Sequence, residues 1–277
     1  MSAHAPTPTP TPTRTPTYTV RDSMTMLRRN LRHIRRYPTL SIMLVAQPLV
    51  LLLLFVYVFG ATLGAGLPGH AGGGNRGDYL VFITPGILLM TVASVALGTA
   101  ISTATDMTTG IIARFRTMNI ARVSVLTGHV LGAVIKTGCA VVIVAAFAFV
   151  LGFHSAAGAP GWLGAIGLLI LIAFSLTWLT VGLGLAADSV ETASNTPLVL
   201  MILPFLSSAF VPTDAMPAGL RQVAQHQPFT PMINTLRALV TGVPTNADLW
   251  LAIGWCGLIS LLGYLWSRRL FLRVPAK

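Results

Sequence analysis

Few side chains in this 277-residue chain are equipped for chemistry. Three arginines, Arg114, Arg116 and Arg122, stand together in an otherwise apolar neighbourhood, with Phe115 and Met118 among them. Guanidinium groups form forked hydrogen bonds to carboxylates and phosphates. An aromatic ring and a thioether beside them supply apolar knobs. That combination suits docking against a partner rather than catalysis. The surrounding stretch, residues 106–132, is too polar to cross lipid and longer than a turn requires. It reads as a short helix on the cytoplasmic face that receives a push from another protein.

No catalytic set stands beside it. There is no Gly-x-Ser-x-Gly, and the six histidines do not pair with carboxylates at a recognisable spacing. Gly182-Leu-Gly184 lacks the third glycine of a dinucleotide loop; small residues in an apolar run let helices approach closely. The chain contains no Gly-Lys, so it carries no P-loop and nucleotide is expected elsewhere. Cys139 and Cys256 lie in apolar runs and read as small core residues, not a disulfide or metal pair. No cofactor and no metal are expected in this chain.

Composition says where the arginines must work. The chain is 54% apolar and 9% charged, with mean hydropathy +0.76. A soluble domain carries about 25% charged residues. Apolar runs of about 20 residues match a hydrocarbon core of about 30 Å. They lack the alternation of barrel strands, and backbone groups in lipid must pair within their own segment, which leaves helices. The expected fold is therefore all-α and integral to the membrane. A net charge of +11 would suggest nucleic acid in a soluble protein. Here the basic residues cluster at the ends of apolar runs and face lipid headgroups, so no nucleic acid is expected.

Residues 1–19 are a Thr/Pro-rich tail without a fold of its own. Residues 20–37 form an amphipathic interfacial helix: Met24, Leu27, Leu31 and Ile34 share one face, and five arginines occupy the rest. The transmembrane domain occupies 38–272 and a short cytoplasmic tail 273–277. Six spans are expected, near 40–63, 79–104, 128–152, 162–187, 196–212 and 248–267. The first apolar run spans, so no cleavable signal peptide is expected. With both termini inside, fourteen of the eighteen basic residues are cytoplasmic. The arginine segment then lies in the cytoplasm, between spans two and three.

Ionisable groups at membrane depth are functional candidates. Lys136 lies about two turns into the third span, where its stem can also snorkel to the surface. None of the seven carboxylates is mid-span, which disfavours a proton-driven carrier.

Two stretches carry a family resemblance. Thr109-Gly-Ile-Ile-Ala-Arg-Phe-Arg-Thr-Met-Asn-Ile-Ala-Arg resembles the cytoplasmic signature of ABC type 2 exporter permeases, and is most similar to the daunorubicin-resistance permease subfamily. That subfamily usually has an acidic residue where Ala113 stands and a proline where Asn119 stands. After the fifth span, Phe210, Pro212, Met216, Pro217, Leu220, Pro228, Thr230, Leu236 and Arg237 match the family pattern; Gln227 replaces its usual Asn. Ser189-Val-Glu191-Thr-Ala resembles the acidic start of the fifth span.

The resemblance implies a half-size exporter in a bacterial cell membrane. Two copies of the permease, here expected as a homodimer, would sit on two copies of a separate ATP-binding subunit, which holds the ATP and magnesium. It implies a coupling helix at 108–124, with Ile112, Phe115 and Met118 as apolar knobs and Arg114, Arg116 and Arg122 facing acidic groups of the ATPase. It implies a re-entrant helical hairpin at the outer face, between spans five and six. Asp188 or Glu191 would pair with an arginine near the coupling helix as an inner gate; capping of the fifth helix is the other reading. Spans two and five would line the path at the dimer seam, through Thr99, Ser102, Thr103, Phe205, Ser207, Ser208 and Phe210. A path of hydroxyls and aromatics suits an amphipathic drug, antibiotic or metabolite moved by alternating access. Export of a lipid or lipid-linked glycan, and a secondary carrier without an ATPase, are the competing readings.

Overall fold

The computed structural model describes residues 38–67, 74–109, 122–245 and 247–273. The tail, the interfacial helix and residues 110–121 of the arginine segment lie outside the described residues. Everything described is helix, turn or loop, without strands.

The first run is continuous but irregular. Helix α1, Pro38–Leu54, contains Pro48, and a π-helical turn at Phe55–Phe59 joins it to α2, Gly60–Ala65. Such π turns shift side-chain register by one residue and recur at functional sites. Helix α3, Arg76–Thr108, is 33 residues long and starts with a capping box. Asn75 Oδ1 accepts from the amides of Gly77 and Asp78, and the Asp78 carboxylate accepts from the Asn75 amide at 2.8 Å. This cap starts the helix three residues before the expected span. Helix α4 is Arg122–Val150 and α5 is Ala159–Ala186, with Pro160 in its first turn. Helix α10, Asp248–Arg273, is the last.

Five stretches are long and apolar enough to cross a bilayer, within α1–α2, α3, α4, α5 and α10. The expected fifth span is different. It breaks into α6, Val190–Asn195, α7, Leu198–Ile202, and a 3-10 turn at Leu203–Leu206. Pro197 and Pro204 lack amide protons and clash with the preceding turn, so one regular helix cannot run through them. The apolar stretch Val190–Leu206 is shorter than the other five.

The proline-rich region after it is also helical. A 3-10 turn at Thr213–Ala215 leads into α8, Ala218–His226, and α9, Phe229–Thr241, each preceded by a proline. Gln227 and Pro228 separate the two, and Gly242 closes α9 in the left-handed conformation, φ 75°. Helix α9 buries Met232, Ile233, Leu236 and Val240.

Helix α3 is the axis of the molecule. Inside the protein, 83% of its apolar window is buried, against 17% for α1–α2 and for α10. The outer helices turn Leu, Ile, Val and Phe outward, including Trp250, Leu258 and Leu262 on α10. Lipid accepts such a surface, so packing between the helices rests on close fit rather than on escape from water. Glycine supplies the fit. A Cβ on Gly184 of α5 would lie 2.5 Å from the Ala100 carbonyl oxygen of α3. A Cβ on Gly263 of α10 would lie 2.7 Å from the Leu179 amide nitrogen of α5. The Ser267 hydroxyl closes the same seam, donating to the Trp178 carbonyl at 3.2 Å.

Candidate functional site

Thr99, Ser102 and Thr103 of α3 are satisfied within their own helix, whereas the buried Ser94 hydroxyl has no hydrogen-bond partner among the described residues. Thr99 Oγ1 donates to the Val95 carbonyl at 3.1 Å, and Thr103 Oγ1 to the Thr99 carbonyl at 2.8 Å. Ser102 Oγ donates to the Thr99 carbonyl at 3.0 Å. This back-bonding is how a hydroxyl survives in apolar surroundings. Thr99 and Thr103 are buried, Thr103 against Gly184 of α5, while Ser102 is half-buried.

The residues after α7 form a wall near the other end of α3. Gly86 admits the backbone of Ala209; a Cβ there would lie 2.7 Å from the Ala209 Cβ. The Tyr79 hydroxyl donates to the Phe210 carbonyl at 3.2 Å. The Phe210 ring stacks on Phe205, centroids 4.7 Å apart, and packs at a tilt of 35° against Phe55 of the π turn at 4.5 Å. Phe55 in turn touches Phe59. Both ends of this aromatic row, Phe205 and Phe59, are exposed. Ser207 is fully buried and bonds back to the Pro204 carbonyl. The structure thus brings Phe205, Ser207, Ser208 and Phe210 together. Thr99, Ser102 and Thr103 stand about 20–26 Å away along α3, at 1.5 Å per residue from Gly86.

Asp188 is exposed between α5 and α6. Ser189 caps α6 by accepting from the Thr192 amide at 3.2 Å, and Glu191 stands in its first turn. The Glu191 backbone amide, and then the Ser189 hydroxyl, hold its carboxyl below the usual carboxylate range. It is fully exposed and stays ionised at neutral pH. Arg122 opens α4. Ile112, Arg114, Phe115, Arg116 and Met118 lie outside the described residues. Among the described residues, no group of three or more His, Cys, Asp or Glu could hold a metal ion. Cys139 and Cys256 are both free thiols.

One cluster has no counterpart in the sequence reading. The Arg237 guanidinium of α9 lies over the Phe82 ring of α3, 3.9 Å from its centroid. Its Nε donates to the Phe82 carbonyl at 3.1 Å and one Nη to the Ser208 carbonyl at 2.7 Å. The other Nη reaches Asn234 Oδ1 at 3.2 Å, which also accepts from the Ser208 hydroxyl at 2.6 Å. The Asn234 amide nitrogen then donates to the Asp248 carboxylate of α10 at 3.1 Å. Sequence matched Arg237 to a pattern without giving it a task. The available signal was its register: Arg237 follows the buried Ile233 by four residues, so it sits on the buried face of α9.

Residues 22–241 match the family described as ABC-2 type transporter. The chain belongs to that family. This ABC-2 chain is also 29% identical, over 232 residues, to the daunorubicin resistance ABC transporter permease protein DrrB1 of Streptomyces coeruleorubidus. The match covers 83% of this ABC-2 chain and 79% of that relative. An ABC-2 chain is a membrane-embedded transporter subunit, which agrees with the five apolar helices.

Proposed function

We propose that this ABC-2 permease is the membrane subunit of an ATP-driven exporter that moves an amphipathic drug, antibiotic or metabolite out of the cell. The family match over residues 22–241, joined to the similarity to a daunorubicin resistance permease, carries the reading. In this proposal the stretch near 196–212, which holds α7 and the following 3-10 turn, crosses the membrane as the fifth of six spans, and α8–α9 form an outer re-entrant hairpin. Both termini are cytoplasmic in a bacterial cell membrane. Two copies form a homodimer on two ATP-binding subunits, and residues 108–124 are the coupling helix. The absence of a Gly-Lys dipeptide supports an external source of energy. The aromatic row from Phe59 to Phe205 offers apolar and π surface to an amphiphile. Co-purification with an ATP-binding protein and vanadate-sensitive efflux test the reading; efflux that ignores vanadate points to a secondary carrier instead.

Two sets of variants probe the cytoplasmic side. Phe115→Asp with Arg116→Glu removes a knob and reverses a charge. Transport in vesicles is expected to fall about tenfold or more, the size of a typical coupling free energy, while membrane insertion persists. Unchanged transport would remove 108–124 from the coupling role. For the inner gate, Glu191→Arg and Arg114→Glu each lower transport, and the double swap restores it. A swap that restores nothing leaves Glu191 as a helix-terminal carboxylate that complements the dipole of α6.

A further inference from the structure

We propose that Arg237 is a positioning residue that fastens α9, the Ser207–Phe210 wall and the ends of α3 and α10 beside it into one rigid body. The exit would then open between the two copies and not by the hairpin lifting away from α3. The inference rests on the exporter reading above, and it assigns a task to Arg237, Asn234 and Asp248, none of which was expected in the path.

The geometry supports a lock rather than a passive buried cation. Burying a guanidinium is costly unless its donors are matched. Here three nitrogens reach acceptors on three different parts of the chain: Phe82 on α3, Ser208 beyond α7, and Asn234 on α9 itself. The Phe82 ring covers the flat face of the cation. Asn234 extends the lock, taking Ser208 and Arg237 on its oxygen and giving its nitrogen to Asp248 of α10. Separating any one element would strand several polar groups at once inside the molecule, so the cost is concentrated in a single step. The glycine contact of Gly86 with Ala209 and the bond from Tyr79 to Phe210 hold the same wall on the same face of α3.

Among the described residues, no buried guanidinium is hydrogen-bonded at the other irregular points, although Arg76 lies over the Tyr57 ring of the π turn at 4.8 Å. Helix α6 meets α7 at Thr196 and Pro197, where one regular helix is interrupted. The π turn at Phe55–Phe59 interrupts the first run. Breaks of this kind absorb a change of direction. Bending is thus assigned to these breaks, and the Arg237 body is carried along whole.

Lysine cannot replace the lock. An ammonium is a point charge on a flexible stem and cannot hold the Phe82, Ser208 and Asn234 oxygens in one plane. A role of charge alone would survive Arg237→Lys; a positioning role would not.

The test uses the complete complex with its ATPase partner, in a background carrying Cys139→Ala and Cys256→Ala. Spin labels go on Arg76→Cys, at the start of α3, and Val223→Cys, exposed on α8. Distances are read within one labelled copy, and between copies through Val223→Cys alone, nucleotide-free and vanadate-trapped. The distance within a copy is expected to hold within less than about one helical turn, ~5 Å, while that between copies changes. In complexes carrying Arg237→Met or Arg237→Lys, the distribution within a copy broadens in both. A shift of one turn or more within the wild-type copy overturns the proposal, as does an unchanged distance between copies. A narrow distribution in the lysine variant overturns the lock and leaves only a charge. Failure to assemble with an ATPase or to trap with vanadate would instead count against the exporter reading.

Discussion

Replacing Gly263 with alanine destabilises the protein, and replacing Gly257 on the same helix with alanine does not. Both glycines lie within α10, where intrinsic propensity favours alanine by about 1 kcal/mol. The surroundings reverse the sign at one of them. A Cβ at 263 meets three backbone atoms of α5 on Trp178 and Leu179, at 2.7, 2.8 and 3.1 Å. Backbone cannot rotate aside as the end of a side chain can, so α10 must move away from α5. Overpacking of this kind costs about 1–3 kcal/mol, which outweighs the propensity gain. A Cβ at 257 meets nothing within 4 Å, so alanine there is neutral or stabilising. Thermal unfolding in detergent checks the pair. Gly263→Ala should lower Tm by several degrees and Gly257→Ala should hold or raise it; equal responses would refute the close seam between α5 and α10.

Arg237→Met should be among the most damaging single changes outside the helix seams. Methionine fills similar volume, but the Phe82 and Ser208 carbonyls lose a charged donor. Asn234 loses one of the two groups its oxygen accepts from. Leaving these buried acceptors without their donor costs about 1–3 kcal/mol. Asp248→Asn is the contrast. An asparagine oxygen still accepts from the Asn234 amide nitrogen, and the change mainly removes a carboxylate from the first turn of α10. Loss of such a helix-end charge is worth under about 1 kcal/mol. The ratio of folded, membrane-inserted protein in the two variants, followed by denaturation of the purified forms, separates them. Similar losses would place the stabilisation in the charge of Asp248 rather than in the hydrogen bonds of Arg237.

Much was legible before any coordinates. Run length and the scarcity of charge named a helical membrane protein, because lipid leaves the backbone no other way to satisfy itself. The runs placed four long helices and the α1–α2 run within a few residues. They erred at the ends, where the Asn75 cap and Pro160 in the first turn of α5 decide the boundary rather than hydropathy. The fifth run was the exception. Its apolar count reads as a span, but Pro197 and Pro204 divide it into pieces. The prolines were visible; where the chain would restart after each was not.

The candidate site divides in the same way. The family resemblance, with residue type, picked out Phe205, Ser207, Ser208 and Phe210, and the fold places them in one wall. The same reading also grouped Thr99, Ser102 and Thr103 with them, yet these stand near the opposite end of α3, with their hydroxyls turned onto their own helix. A list of hydroxyls carries no information about which helix face meets which neighbour.

The sequence by itself determined that the chain is helical and membrane-embedded, which family it resembles, and that it brings no nucleotide loop of its own. These follow from local facts: run length, residue type and short motifs. Only the tertiary structure decided that α3 is the axis, that Gly184, Gly263 and Gly86 are contact points, and that Arg237 is a hub. Arg237 and Phe82 are 155 residues apart in the chain. Their meeting depends on how α9 returns to α3, and packing of distant surfaces is a property no local pattern encodes.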